Sequence, residues 1–337
     1  MVTIKDLANR LNLSSATISR ALRNDKTLSI TPETKARIFM AAEEMGYVIK
    51  EKKATPQEKE KIITVIHKQQ TFRNQIDSSY YFSVRTGIEE TCAQKHYICN
   101  FLAIEQMNEF APITDAILIV GNYSREQFEL IESTYRSVPM ATIGIISYSP
   151  ASIDHITHSN QVSVELALDY LFKNRHEKIG YLGITEAIGT EQFGSRKKHF
   201  IRIMQSHGCY NPSWILESEH GRDRVERGYE TMLQWLRTTK ELPTAFFCAN
   251  DPIALGALKA LHESNISVPE QISLVAHDGS YPTQYSTPPL STIDVHPFQL
   301  GCEGVSLLDE RITGKRKIAK KVQFYPDLVI RDSVRKL

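Results

Sequence analysis

From Ser14 to Asn24 the chain reads Ser14, Ser15, Ala16, Thr17, Ile18, Ser19, Arg20, Ala21, Leu22, Arg23, Asn24, without an acid. Wound as a helix, the stretch puts Ile18 and Leu22 on one face. Ser15, Ala16, Ser19, Arg20 and Arg23 fall on another, at i, i+1, i+4, i+5 and i+8. That second face has the chemistry of a major-groove reader: Ser bonds a phosphate or base edge, Ala meets a thymine methyl, and Arg grips guanine bidentately or a phosphate. A merely solvated surface accounts for the polarity but not for arginines and small residues in the absence of any acid.

Such a helix needs a scaffold, and the flanking residues predict one. Ile4, Leu7, Ala8 and Leu11 make an apolar stripe with Thr3 in front as N-cap. Asn12 tolerates the left-handed conformation, so Leu11-Asn12-Leu13 makes a tight turn and Ser14 caps the second helix. A third helix is expected from Thr31 as cap and Pro32 at its first position, through Ile38, Ala42 and Met45, to Gly46 just past its end. The three together predict a helix-turn-helix head over residues 1–48.

The segments Val2-Thr3-Ile4-Lys5-Asp6-Leu7-Ala8, Leu13 to Leu22, Thr34-Lys35-Ala36-Arg37-Ile38 and Gly46-Tyr47 resemble, in register, the head of the LacI/GalR family of transcriptional regulators. The resemblance implies that Ser15 and Ala16 hold the principal base-reading positions. It also implies that Thr3, Ser14, Thr17, Ser19 and Arg20 position the head on the DNA backbone or touch bases. Asn12 stands where the family usually has Gly. After Tyr47 the family typically carries an Ala-Arg-x-Leu hinge whose Leu wedges into the minor groove and kinks DNA. Residues 49–61 are instead a charged linker with Thr55 or Pro56 at the place of that Leu. The expectation is a flexible tether whose lysines meet phosphates, with weaker DNA bending.

The charge distribution agrees with a small basic head. Lys and Arg total 40 against 39 Asp and Glu, so the net charge is +1 and no overall field recruits nucleic acid or membrane. Residues 1–61 nevertheless hold 12 Lys/Arg against 8 Asp/Glu, which leaves 28 against 31 for the rest. That is the pattern of a DNA-binding module on a mildly acidic sensing body.

Length sets the body's scale: 337 residues predict two or three folding units. Beyond residue 61, β-branched runs at 62–66, 116–121, 140–143, 179–183, 245–248 and 272–276 alternate with helical patterns at 81–92, 163–172, 197–205, 228–237 and 253–263. The alternation predicts an α/β core of two parallel, doubly wound sheets, whose ligand lies at the carboxyl ends of the strands. The resemblance continues here through Pro243 to Asp251, Ala254-Leu255-Gly256-Ala257, Val268-Pro269, Ile272 to Asp278, Pro288 to Ile293 and Pro326 to Ser333. It implies a two-lobed, periplasmic-binding-protein-like effector and dimerisation core over 62–337. The N-lobe would take about 62–157 and 290–322, and the C-lobe about 158–289 and 323–337.

Carried over by position, Arg196, Asn250 and Asp278 match residues that bind effector hydroxyls in sugar-responsive members. The chemistry is apt, since Arg donates in a fork, Asp accepts from two hydroxyls and Asn does either. Asp278 could equally cap a turn, and Asn250 the helix that follows. Tyr81, with Tyr80, matches the start of the first core helix, where an aromatic stacks on a sugar or packs the core. Departures are Ser159 or Asn160 where many members place an effector-binding Asp, Arg175 and His199 where Gly is usual, and Asp223 near an aromatic ligand-wall position. Residues 24–34 resemble the subgroup that regulates galactose or β-galactoside use. A galactoside is therefore the first-choice effector, ahead of other sugars, purines or a protein co-regulator.

The function expected is thus a homodimeric repressor on a pseudo-palindromic duplex operator, released by a small sugar. No leucine heptad follows Ser333, so no C-terminal tetramerisation zipper is expected. An enzyme on a doubly wound fold is the competing class, but G-x-G-x-x-G, G-x-x-x-x-G-K-[ST] and G-x-S-x-G are all missing from the sequence. A pure sugar receptor is disfavoured by the head. No catalytic residue, cofactor or metal is expected: the five cysteines are scattered without a C-x-x-C pair. His155 and His158 could share a helix face but lack further ligands. No apolar run approaches membrane-span length, and Lys5, Asp6, Asn9 and Arg10 are unlike a secretory leader, so a cytoplasmic protein is expected.

Overall fold

The computed structural model describes residues 2–22, 25, 28–47, 60–69, 78–144, 152–185, 196–218 and 223–337. The chain divides into two compact units, Met1–Lys59 and Glu60–Leu337.

In the first unit, helices α1 (Ile4–Leu11), α2 (Ser15–Leu22) and α3 (Pro32–Glu44) enclose a core of Leu7, Ile18 and Ile38, each fully buried. The local signals act as the sequence predicts. Thr3 and Asp6 form a reciprocal capping box on α1, and Asn12 ends it at φ 52°. The Thr17 amide donates to Ser14 Oγ (3.0 Å) at the start of α2, and the Thr34 amide to Thr31 Oγ1 (3.2 Å) at the start of α3. Gly46, at φ +68°, lets the Tyr47 amide turn back to the Ala42 carbonyl (2.8 Å) and close α3.

The second unit holds two six-stranded sheets. Its strands in chain order are β1 (Lys61–His67), β2 (Tyr97–Ala103), β3 (Ala116–Val120), β4 (Met140–Ile143), β5 (Asp154–His158), β6 (Ile179–Ile184), β7 (Ile215–Ser218), β8 (Ala245–Cys248), β9 (Ser273–Asp278), β10 (Ser291–Asp294), β11 (Lys321–Phe324) and β12 (Asp327–Val329). The first sheet runs β11-β5-β4-β3-β1-β2 and the second β12-β10-β9-β8-β6-β7. All described pairings are parallel except β10 with β12.

The helices are α4 (Ser79–Gln94), α5 (Arg125–Thr134), α6 (Asn160–Lys173), α7 (Arg196–Ser206), α8 (Arg224–Thr238), α9 (Asp251–Glu263) and α10 (Pro297–Ile312). They cover both faces of each sheet. On β3, Ala116, Leu118 and Val120 join the cluster beneath α4 and α10, while Ile117 and Ile119 join Phe128 and Ile131 of α5. A two-residue period with both faces buried gives the continuous apolar run seen in the sequence. The helix pairs touch backbone to backbone at glycines: a Cβ on Gly256 of α9 would collide with the Val225 carbonyl of α8, and one on Gly87 of α4 with the Phe298 carbonyl of α10.

Four expectations need correction. Strand β1 begins at Lys61, inside the stretch read as linker, because Lys61 pairs with Tyr97. The chain returns to the first lobe after β10 and not near 290, because Ser291–Asp294 pairs with β9 in the second sheet. The last crossing falls after Phe324 and not after 322, because β11 pairs along its whole length with β5. His155 and His158 lie on strand β5, where a separation of three places them on opposite faces, so they share no helix face. His155 Nε2 meets the Gly144 carbonyl at 2.8 Å, and His158 turns to the second lobe. The linker reading over 49–59 lies outside the described residues.

Candidate DNA-reading helix and effector cleft

In the first unit, α2 buries Ile18 fully and leaves Ser14, Ser15, Ala16 and Arg20 exposed, with Thr17 and Ser19 half-buried. The face expected to read DNA therefore points outward, and the face expected to pack is the packed one. Thr3 is exposed, and its hydroxyl donates to Asp6 Oδ2 (2.7 Å); the Ser14 and Thr17 hydroxyls are 2.8 Å apart. Arg20 Nε donates to Asp25 Oδ2 (2.8 Å), a partner that the acid-free run through Asn24 did not suggest. The pair is well exposed, so it orients the guanidinium more than it stabilises the fold. Arg23 lies outside the described residues.

In the second unit, the carboxyl ends of the strands gather the other set. Tyr80 and Tyr81 open α4 after β1, and their rings meet edge to face at 5.1 Å. His158 ends β5, Arg196 opens α7, Asn250 follows β8, and His277 and Asp278 end β9. Parallel strands place their successive helix starts at the carboxyl edge of each sheet, and the packing of the two edges brings His158 of the first against His277 of the second.

The geometry is tight. Arg196 Nη1 lies 2.8 Å from His277 Nδ1 and 3.7 Å from Asp278 Oδ1, and His277 Nδ1 lies 2.9 Å from the same oxygen. Arginine only donates and an ionised carboxylate only accepts, so the two compete for one imidazole nitrogen. Asp278 adopts φ 118°, a strained backbone rare for a side chain-bearing residue. The rings of His158 and His277 are 5.5 Å apart, and His158 Nε2 is 3.2 Å from Asn160 Oδ1.

Burial sets the ionisation here. It pushes His158 down to about 3, with His277 and Arg196 adding to the effect, and it pushes His277 down to about 4, with Arg196 adding again. Both imidazoles are neutral at pH 7. Burial opposes the Asp278 carboxylate, but the His277 hydrogen bond and the charges of Arg196 and Arg224 outweigh it and hold its pKa below the usual value. Asp251 goes the other way: burial and the charge of Asp278 push it up to about 8, although Thr292 Oγ1 and the Ser280 amide each donate to it at 2.6 Å. Burial raises the Tyr80 phenol, whose ionisation also feels Asp278 and Arg196.

Of the positions singled out in the sequence, Arg196 and Asp278 meet directly. Asn250 displays the capping role, its Oδ1 accepting from the Ile253 amide at 3.0 Å. Tyr81 lies beside Gly121 and Tyr80. Ser159 also caps, accepting from the Val162 amide at 3.2 Å. Sequence reasoning missed His277 as a neighbour of the pair and gave His158 the wrong setting. The only signal for His277 was its place beside Asp278. Among the described residues no cluster of three or more His, Cys, Asp or Glu could hold a metal, and no helix is long and apolar enough to cross a membrane.

Residues 3–49 match the family described as bacterial regulatory proteins, lacI family, and residues 168–334 match a periplasmic binding protein-like domain. The HTH-type transcriptional regulator GalR of Lacticaseibacillus casei is 30% identical over 339 residues, 99% of each chain. The chain belongs to the LacI family of bacterial regulators. The HTH-type transcriptional repressor PurR of Histophilus somni (strain 129Pt) is equally similar, 30% identical over 359 residues and 100% of both chains. The solved complex of the transcriptional regulator CelR with cellobiose shares the fold, with a TM-score of 0.70 at 18% identity over 99% of this chain and 100% of that one. As a LacI-family member the protein is a DNA-binding transcription repressor with an effector-binding core, and not an enzyme.

Proposed function

We propose that the protein is a homodimeric, cytoplasmic repressor that binds a pseudo-palindromic operator of roughly 14–20 base pairs and is released by a small sugar, a galactoside first. Ser15 and Ala16 read bases from the start of α2. Thr3, Ser14, Thr17, Ser19, Arg20 and Arg23 hold the head on the duplex. Arg196, Asp278, Asn250 and Tyr81 contact the effector, which shifts the equilibrium between lobe arrangements by its differential affinity for them.

The observation that carries the sugar reading is the Arg196–Asp278 pair at 3.7 Å beside neutral His277. One donor-only cation and one acceptor-only anion, with no net charge between them, suit the vicinal hydroxyls of an uncharged polyol. The likeness to GalR supports the galactoside choice, and the likeness to PurR keeps a purine as the second reading.

Fluorescence anisotropy of the full chain on DNA from upstream of its own gene tests this. Tight binding relieved by galactose or a β-galactoside is the expected result. Binding enhanced by guanine and indifferent to sugars would replace the inducer with a purine co-repressor. Failure to bind any duplex would overturn the repressor reading.

A further inference from the structure

Two nitrogens in the cleft have no hydrogen-bond partner among the described residues: Nδ1 of His158 and Nε2 of His277. His158 is 8% exposed and His277 is 0% exposed. A buried polar atom without a partner costs as much as a lost hydrogen bond, so native structures rarely keep one without use for it. Here two occur together, on rings 5.5 Å apart, at the strand ends that also carry Arg196 and Asp278.

The other nitrogen of each ring is already engaged. His158 Nε2 faces Asn160 Oδ1 at 3.2 Å, and His277 Nδ1 is contested by Arg196 at 2.8 Å and Asp278 at 2.9 Å. The orphaned nitrogens thus point away from the groups that orient the rings, and their neutral imidazoles present either a lone pair or an N–H. A carboxylate or phosphate accepts only and would need an N–H on both rings. Neutral His277 can present one on Nε2 while Nδ1 accepts from Arg196, but His158, whose Nε2 donates to Asn160 Oδ1, offers only a lone pair at Nδ1 unless doubly protonated, and Arg196 stands against that second positive charge. A hydroxyl both donates and accepts, and so satisfies either tautomer. Charge does not attract an anion here either, since Arg196 is already balanced by Asp278.

We infer that His158 and His277 are specificity-determining residues of the effector cleft, their free nitrogens binding a hydroxyl of an uncharged, polyhydroxylated effector. The inference rests on reading this cleft as the effector site, and it adds two residues that the carried-over positions did not include.

Shape-mimicking variants remove one nitrogen at a time. In His158→Gln the side-chain amide retains the position of Nε2 and its link to Asn160 but lacks Nδ1. In His277→Asn it retains the position of Nδ1 against Arg196 and Asp278 but lacks Nε2. Isothermal titration of the full chain with D-galactose, and with its 2-, 3-, 4- and 6-deoxy analogues, supplies the readout. In the wild type one deoxy analogue should bind roughly tenfold more weakly than galactose. In each variant galactose itself should weaken by a similar factor, and that same analogue should lose nothing further.

Where cellobiose or ribose binds in place of galactose, the cycle is run with that sugar and its deoxy forms. A sugar that binds wild type and both variants alike would overturn the histidine assignment alone, leaving the cleft as the effector site. Failure of all three sugars with a folded wild-type protein would overturn the sugar reading and the histidine assignment with it. Should one variant fail to melt cooperatively, the other carries the test.

Discussion

The face of α2 proposed to read DNA is one contiguous stretch held by its neighbours in sequence, whereas the proposed effector cleft is assembled from five strand ends spread from β1 to β9. On α2 Ser15, Ala16 and Arg20 are exposed, Thr17 and Ser19 half-buried, and the fold rests on Leu7, Ile18 and Ile38 beneath them. In the proposed cleft Asn250, His158 and His277 are buried and Arg196 and Asp278 half-buried, and Arg196, His277 and Asp278 are one another's partners. The head can therefore change Ser15 and Ala16 at little structural cost, whereas Thr3 and Ser14 also cap α1 and α2. In the cleft, the side chains proposed to recognise the effector are also those that hold one another in place.

The largest test of that contrast is Asp278→Ala. It leaves the part-buried Arg196 guanidinium without its carboxylate, and the core should lose about 3 kcal/mol, seen as a lower urea midpoint. Release of the operator by sugar should disappear with it. An unchanged midpoint would show that the cleft is as independent of the fold as the reading face.

Gly256→Ala separates packing from recognition within the second unit. The added methyl meets the Val225 carbonyl, so α8 and α9 must part, at a cost of about 2 kcal/mol. The ratio of affinities for different sugars should stay as in the wild type, because no cleft residue moves partners. A changed ratio would mean that the helix pair shapes the cleft.

The pH profile of stability is the third test, and its sign follows from the directions of shift. His158 and His277 titrate at about 3 and about 4 in the fold and near 6.5 when unfolded. Their contribution is complete above pH 6.5 and is lost as pH falls towards 4, because the unfolded chain takes up protons first. His67, His155, His176 and His199, which burial also lowers, add to this acid limb.

Asp251 acts oppositely: with a folded pKa of about 8 it holds a proton that the unfolded chain releases near 3.8. Stability therefore rises as pH falls from 8 to 6.5, and below 6.5 the histidines outnumber the one aspartate. A maximum near pH 6.5 is expected, with an acid limb of roughly 1 kcal/mol per pH unit or steeper. Thermal melts across pH 4–8 would show it, and Asp251→Asn should flatten the alkaline limb and steepen the acid one, because the aspartate no longer offsets the histidines.

The smallest effect on the fold belongs to the head. Ser15→Ala should leave the melting temperature unchanged, since the side chain is exposed. It should cost about 1 kcal/mol of discrimination at a single operator base pair, measured by anisotropy on a panel of substituted operators. Loss of stability with that variant would remove the contrast between the two regions.

Much of the architecture was legible because its signals are local. Thr3, Asn12, Ser14, Thr31 and Gly46 each act within a few residues of themselves, and β3 and β8 are buried on both faces, which makes an apolar run. Strand β5 was not legible. Its Asp154 is fully buried, held by both terminal nitrogens of Arg316 at 2.7 and 2.8 Å and by the Lys320 amide, and no window of sequence contains both ends of that interaction. Strand β2 fails for a related reason: it is an edge strand with several half-exposed residues, including Tyr97, whose hydroxyl contacts Asp309 on α10.

By itself the sequence determined the elements whose causes are short-range: the capped helices of the head, the outward face of α2 and the alternation that demands two wound sheets. The resemblance to a known family added Arg196, Asn250 and Asp278. Only the tertiary structure decided where the chain crosses between lobes, that Asn250 spends its oxygen on a cap, and that His158 and His277 stand beside the Arg196–Asp278 pair. Hydrogen bonding and desolvation act over a few ångströms in space whatever the separation along the chain. The chemistry of the cleft therefore exists only once five distant strand ends, two from the first sheet and three from the second, have been brought together.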